Sequence, residues 1–352
     1  MLNSTKENHG NYTLVTYIKR GLELCSPMEF LSYMKEYLPK RSTLKTLFLG
    51  IDYYWCLIRY GATVCDYFEY QFWKKRSCER AEYATKRKAQ NIQNFFNVGD
   101  KEIVIDKKKF NKKFSRFRNI GNFYFDEGDV NDFWNFVQKY NYNVIAKPFM
   151  GASGIGIFKP NVSTFEEASK IYDELIKTDN YFIEEVFVQD GILGEVNPAS
   201  VNTLRIYTLF DGKDVHVMDT FVRFGGGKDC VDNIHAGGMV CEIDVQSGYI
   251  VAPGYNLLGE KFVYHPMTKY LLPGILVPRW QEVVAMIKKA ASLIPEIGYL
   301  GWDVAVSDER VCIIEANEVG NLDLVQVGGQ RGCLKRYHEI VDITKANRKK
   351  HG

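Results

Sequence analysis

The stretch GWDVAVSDERVCIIEAN, residues 301–317, decides how the chain is read. Two short apolar runs flank a polar turn, the pattern of a β-hairpin. Side chains alternate between faces along a strand. On this reading Trp302, Val304, Val306, Cys312, Ile314 and Ala316 form one face, directed into a core. Asp303, Glu315 and Asn317 form the other. With Asp308, Glu309 and Arg310 as the loop, Asp303 lies directly opposite Glu315. Like charges at a cross-strand pair repel. A divalent cation between them removes that repulsion. Two carboxylates and an amide oxygen are hard donors that suit Mg²⁺, or Mn²⁺ in its place, better than zinc. An exposed hairpin with solvated acids is the other reading of the same residues.

Working outward, the chain has 352 residues, enough for two or three lobes. It is 46% hydrophobic and 25% charged, with a net charge of +2, the balance of an ordinary globular protein. The charge is unevenly spread: from Lys74 to Arg118 fifteen Lys or Arg stand against five acids, an excess fit to meet an anionic partner. That run carries no helix-turn-helix, RRM or zinc pattern, which argues against nucleic acid. The eight cysteines form no CxxC pair and no zinc spacing, and most sit among apolar neighbours, as free thiols in a reducing cytosol do. The opening MLNSTKENHGNY is polar and reads as no secretory leader. No run reaches the ~18–20 apolar residues of a membrane span.

The pattern along the chain predicts a helical lobe over residues 1–98. A first mixed α/β unit spans 99–190 and a second 191–340, with a frayed basic tail at 341–352. In the first unit EIVID (102–106) reads as a strand. KKKFNKKFSRF reads as a basic helix carrying Phe110, Phe114 and Phe117. VNDFWNFVQKY reads as another helix and VIAKP (144–148) as a strand. Ser163 with Glu166 reads as a capping box opening helix 164–177. YFIEEVFV, SVNTLRIYTLF and VHVMDTFVRF read as strands, and RWQEVVAMIKKAASLI as an amphipathic helix.

Several segments carry candidate chemistry. After the strand ending in Lys147 comes a loop with Gly151, Ser153, Gly154 and Gly156, then a return to strand. Glycines admit phosphate oxygens to backbone N–H groups and lysine supplies charge. No Walker pattern is present. The loop reads as a flap over a triphosphate, or as a plain glycine hairpin. In YFIEEVFV the backbone of Glu184, Val186 and Val188 can meet an adenine, and Glu185 a ribose. Arg205 lies inside an apolar strand. It suits a phosphate or carboxylate, or else a structural pair with Glu242 or Asp219. Asn202, Arg223, Lys228, Asn233 and His235 surround this region as candidate substrate contacts. No nucleophile triad emerges.

Taken in order, VIAKP with its glycine loop, the IEEVFV strand and the D…EAN hairpin resemble the ATP-grasp superfamily. RYGATVCDYFEYQFWKKRSCERAEYATKRK, VNPASVNTLRIYTL, VDNIHAGGMVCEID and GWDVAVSDERVCIIEANEVGNL extend the resemblance over roughly residues 45–335. They look like the sugar-transfer-associated and teichuronopeptide-biosynthesis-like ATP-grasp proteins. The resemblance implies an α+β fold in which two subdomains grip ATP, with the helical lobe in front. It implies two Mg²⁺ ions held by Asp303, Glu315 and Asn317, and Lys147 and Arg205 as catalytic cations. It implies a first phosphate-contacting lysine, for which Lys107, Lys108 and Lys109 all qualify, with Lys107 taken here. One departure is ANEVGNLDL, where many ATP-grasp ligases have a proline after the Asn. The activity it implies is a carboxylate–amine ligation through an acyl phosphate, on a uronic acid or amino acid, in bacterial surface polysaccharide synthesis. A glycan phosphotransferase and a non-catalytic module binding anionic glycans are the alternatives. The expected partners are a small or lipid-linked sugar and an amine or amino acid. The expected place is the cytoplasm, with peripheral contact at the inner face of the membrane.

Overall fold

The computed structural model describes residues 27–40, 42–150, 155–226, 238–320 and 322–351. Helices come first, as the sequence predicts. Pro27–Tyr37, Thr43–Tyr60 and Val64–Glu69 pack around an aromatic core of Phe30, Tyr53, Tyr67, Phe68 and Phe72. Ser42 caps the longest of them by accepting from the Lys45 N–H. Gly61 ends it at φ 68°, a left-handed cap that suits glycine. Lys86–Phe96 then carries the chain down to the sheets.

The first sheet is small. Its strands are β1 (Asn122–Tyr124), β2 (Val144–Pro148) and β3 (Tyr181–Glu185), antiparallel in the order β1-β3-β2. The two-residue period gives it two unlike faces. Phe123, Val144, Ala146 and Ile183 pack against residues of helices Val130–Lys139 and Phe165–Ile176, among them Phe133, Val137 and Ala168. Lys147 and Glu184 belong to the opposite set, with Tyr124 and Phe182 stacked beside them.

The second sheet has seven strands: β4 (Leu204–Phe210), β5 (Val215–Phe224), β6 (Met239–Glu242), β7 (Gly254–Tyr255), β8 (Lys261–Phe262), β9 (Tyr299–Val306) and β10 (Val311–Asn317). Their order is β10-β9-β4-β5-β6-β7-β8. Leu204, Ile206, Val222, Trp302 and Val304 form the main core with Val283 and Ile287 of helix Trp280–Ala291. On the other face Tyr207, Leu209 and Tyr299 pack with Ile92 and Phe96 and with Tyr337 and Val341 of helix Leu334–His351.

Several sequence expectations are corrected. EIVID is a helical turn, Glu102–Ile105, not a strand. The Asp106 carboxylate after it accepts from the N–H groups of Lys108 (2.7 Å) and Lys109 (3.1 Å). That cap starts the next helix, Lys107–Lys113, and outweighs the strand preference of Ile and Val. The basic run itself splits, with Ser115–Arg118 as a separate helix. The capping box lies one residue later than expected: Thr164 caps and Glu167 reciprocates. The tail does not fray. Helix Leu334–His351 buries Thr344, and Asn347 donates to the Asp211 carbonyl (3.1 Å).

Candidate active site

The hairpin that opened the sequence reading does oppose Asp303 and Glu315, by a different route. Val306 pairs with Val311, Cys312 with Ala305 and Ile313 with Val304, so the turn is tighter than expected. A β-bulge at Ile314 then absorbs one residue and sets Glu315 opposite Asp303. Without it Ile314 would face Asp303. The bulge also corrects the face assignment. Ile313 joins Trp302 and Val304 in the main core, while Cys312 and Ile314 pack with Ala305 and Phe187.

Register on the neighbouring strands completes a row. Arg205 on β4 pairs with Asp303 on β9, which pairs with Glu315 on β10. The Arg205 guanidinium grips Asp303 with both arms, Nε to Oδ1 (2.5 Å) and Nη2 to Oδ2 (3.0 Å). Arg223 Nη2 reaches the same Oδ2 at 3.0 Å, while its Nε donates to Thr203 Oγ1 (2.9 Å). Arg205 is thus paired with a strand neighbour, as the alternative reading expected, but that neighbour is Asp303: Asp219 is engaged with Arg336 and Tyr337 and Glu242 with Arg331.

Burial raises the Glu315 carboxyl, and Asp303 beside it raises it further. Burial also presses on Asp303, but Arg205 and Arg223 hold it below the usual carboxylate range. The row is thus one well-paired carboxylate and one frustrated one. Asn317 follows on β10, its Nδ2 buried without a hydrogen-bond partner. Two carboxylates and the carboxamide oxygen of Asn317 are hard donors that fit a small hard cation, whereas the unpaired Nδ2 is a hydrogen-bond donor that a cation leaves unsatisfied. Such a cation shares Asp303 with the two arginines. Among the described residues no group of three or more His, Cys, Asp or Glu gathers to hold a metal; the third donor in this row is an amide.

Cations on β2 and on the short helices before β1 gather beside this row. Lys147 is ion-paired with the buried Glu184. Arg118 Nη2 contacts the other oxygen of Glu184 at 2.5 Å. Burial works against the Glu184 charge, and Lys147 and Arg118 overcome it, holding its pKa low. Lys107 Nζ donates to the Pro148 carbonyl (3.1 Å), next to Lys147 in the chain. Burial lowers the Lys107 ammonium, and it feels Glu315, Lys147 and Glu184. Lys108 is drawn to Asp126 and Glu127 and Lys109 to Glu102. Of the three adjacent lysines, then, the fold turns Lys107 toward the cleft.

Sequence reasoning missed Arg118. It is 1% exposed, and its Nη1 donates to the carbonyls of Ile313 (3.1 Å) and Ile314 (2.5 Å). One guanidinium therefore ties the bulge of the hairpin to Glu184 of the small sheet. The sequence shows only one more arginine ending a basic run, and nothing in it marks Arg118 as buried.

Other expected contacts lie elsewhere. Asn202 is fully buried, and its amide donates to Gln189 Oε1, the Leu193 carbonyl and the Asn197 carbonyl. Its oxygen accepts from Asn197, so the side chain locks the linker between the sheets rather than meeting substrate. Glu185 accepts from the Gly121 N–H (2.9 Å) and pairs with Arg310 (2.7 Å). The Val186 N–H donates to the Asn143 carbonyl (3.0 Å), and Val188 is exposed. Gly156 turns at φ 79°, and Phe158 bridges back to Ala146 on β2. Gly151, Ser153, Gly154, Lys228, Asn233 and His235 lie outside the described residues. The basic run does not form one open face: Arg76 pairs with Glu79, Arg80 with Asp52 and Lys112 with Glu127, and Arg118 is buried.

The profile of the sugar-transfer associated ATP-grasp family matches residues 79–342. No curated protein matches the chain. Among solved structures, the ATP-grasp ligase PsnB complexed with minimal precursor is 13% identical, over 71% of this chain and 63% of its own, with a TM-score of 0.44. The N5-carboxyaminoimidazole synthase from Aspergillus clavatus, in complex with ADP and 5-aminoimidazole ribonucleotide, is 10% identical over 62% of this chain and 44% of its own, at 0.39. The D-alanine–D-alanine ligase from Bacillus anthracis complexed with ATP is 14% identical over 71% and 69%, at 0.36. The chain thus spans less than two thirds of the first two, and likenesses this remote carry no argument. The family match covers most of the chain, with the bulged hairpin, the arginine row and both lysines inside it. The chain belongs to the sugar-transfer associated ATP-grasp family and has the mixed α+β fold of that superfamily.

Proposed function

We propose that the protein is an ATP-dependent carboxylate–amine ligase that forms an amide on a uronic acid or amino acid during assembly of a bacterial surface polysaccharide. The row Arg205–Asp303–Glu315, with Lys107 of helix Lys107–Lys113 near Glu315 and Lys147 of β2 beside Lys107, carries this reading. Joining a carboxylate to a triphosphate brings anions together, and this cleft concentrates cations where they must meet. Asp303, Glu315 and Asn317 would hold the Mg²⁺ ions, which would supply charge neutralisation on ATP phosphates. Lys147 and Lys107 hold the phosphates from the small-sheet side. Arg205 and Arg223, already oriented by Asp303, receive the substrate carboxylate. Its oxygen attacks the γ-phosphorus, ADP leaves, and an amine displaces phosphate from the acyl phosphate. No side-chain nucleophile is required, which agrees with the missing triad.

A small cavity of about 150 Å³, which Val319 lines two residues beyond Asn317, offers a place for the second substrate. It lies between the helical lobe and the segment after β10, lined by Tyr70, Lys86, Gln93 and Asp323 among others. Lys86 and Asp323 give it both signs of charge, suited to a polar amine or amino sugar. The family's association with sugar transfer supports a glycan substrate.

The test crosses a panel of uronic acids with amines and amino acids, with Mg²⁺ and ATP, and follows ADP, free phosphate and amide product. The ligase reading expects equal ADP and phosphate, only when acid and amine are both present. ADP without free phosphate, together with a phosphorylated sugar, would make the protein a phosphotransferase instead.

A further inference from the structure

Helix Thr43–Tyr60 is apolar on two opposite sides. One side, Leu49, Tyr53, Cys56 and Tyr60, is buried in the aromatic core. The other carries Leu44, Leu47, Phe48, Ile51, Trp55 and Ile58, all at least 56% exposed. At 100° per residue these six occupy an arc of about 100°, one continuous stripe along a helix about 27 Å long. Contiguous exposed apolar surface of this kind marks an interaction site.

The rim identifies the partner. Lys45 and Arg59 are exposed and fall along one edge of the stripe. The one acid of the helix, Asp52, lies between them but is spent internally. It pairs with both Arg80 Nη1 (2.7 Å) and Nη2 (3.0 Å) and accepts from Tyr67 Oη (2.8 Å). Tyr54 adds a second aromatic with a polar tip at the opposite edge, 45% exposed. Apolar centre, Trp and Tyr, and a cationic rim are what a helix presents when it lies in the surface of an anionic bilayer. Among the described residues no helix is long and apolar enough to cross a membrane, so the contact is in-plane.

We infer that helix Thr43–Tyr60 docks the protein on an anionic lipid surface through the stripe Leu44–Ile58. The docking element is this helix rather than the basic run 74–118, in which Arg76, Arg80, Lys108, Lys109, Lys112 and Arg118 are ion-paired. The inference assumes nothing about which acid and amine the cleft joins.

The experiment sediments the full chain with vesicles of phosphatidylcholine alone or with one quarter phosphatidylglycerol, at low and high salt. The wild type binds the anionic vesicles, and salt weakens the binding. Phe48→Ser/Trp55→Ser lowers the partition coefficient at least about tenfold, because both side chains are exposed and their loss removes apolar contact. Lys45→Glu/Arg59→Glu lowers it on anionic vesicles specifically. Both variants keep a melting temperature close to that of the wild type, since all four side chains are exposed and Arg59 lies over the ring of one core residue, Tyr60. Failure of the wild type to bind either vesicle would overturn the proposal. So would vesicle binding that both variants retain, or a dimer in light scattering that Phe48→Ser/Trp55→Ser dissociates, which would assign the stripe to a second copy of the chain.

Discussion

Glu315→Gln abolishes ATP turnover, by at least about 10²-fold, yet leaves the protein without nucleotide as stable as the wild type or more so. The two effects have one cause. Glu315 is half-buried opposite Asp303, and desolvation and that neighbour both raise its pKa. Its charge is therefore a cost in the empty protein. A Gln keeps the shape and can donate to Asp303, so the cost disappears. The charge is useful only when a cation sits in the row. Turnover assays and thermal melts on the same preparation check the pair of expectations. Destabilisation by more than about 1 kcal/mol with turnover retained would show that Glu315 is structural.

Arg118→Met lowers stability by about 3–5 kcal/mol, a large part of the total for a domain of this kind. Arg118 is the shared donor for Glu184 and for the carbonyls of Ile313 and Ile314. Its removal leaves a buried carboxylate with Lys147 alone and strips two carbonyls at the bulge. Arg118→Lys keeps the charge but lacks the fork that spans both partners, so it restores only part of the loss. Urea unfolding midpoints measure both. In a double-mutant cycle with Glu184→Gln the two losses are strongly non-additive. Additive losses, or an Arg118→Met midpoint equal to the wild type, would contradict the clamp.

The residues that carry the site were legible where local pattern governs. Period-two alternation put Asp303 and Glu315 on one strand face, and VIAKP is the strand Val144–Pro148 as read, with Lys147 inside it rather than at its end. The row itself was not legible, because Arg205 meets Asp303 only through pairing of strands nearly one hundred residues apart. The bulge was invisible for a similar reason. The residue count from Asp303 to Glu315 is satisfied by a longer loop or by a tighter loop with a bulge, and packing against the core chooses the second. EIVID misled because three β-branched residues outvoted the Asp106 cap that follows them. The tail misled because composition alone showed polar residues, while Tyr337, Val341 and Thr344 are spaced to bury one side. Burial also separates lysines that look alike in sequence: Lys107 faces the cleft, whereas Lys108 and Lys109 lie on acids at the surface.

The most direct test of the central claim follows an oxygen atom. A uronic acid labelled with ¹⁸O in its carboxylate is turned over with ATP, Mg²⁺ and an amine, and the released phosphate is analysed by mass. If the carboxylate attacks the γ-phosphorus, the bridging oxygen of the acyl phosphate leaves with phosphate when the amine displaces it. The account predicts phosphate carrying ¹⁸O in step with amide formed. Unlabelled phosphate, or a sugar that keeps the phosphoryl group on a hydroxyl, would contradict it.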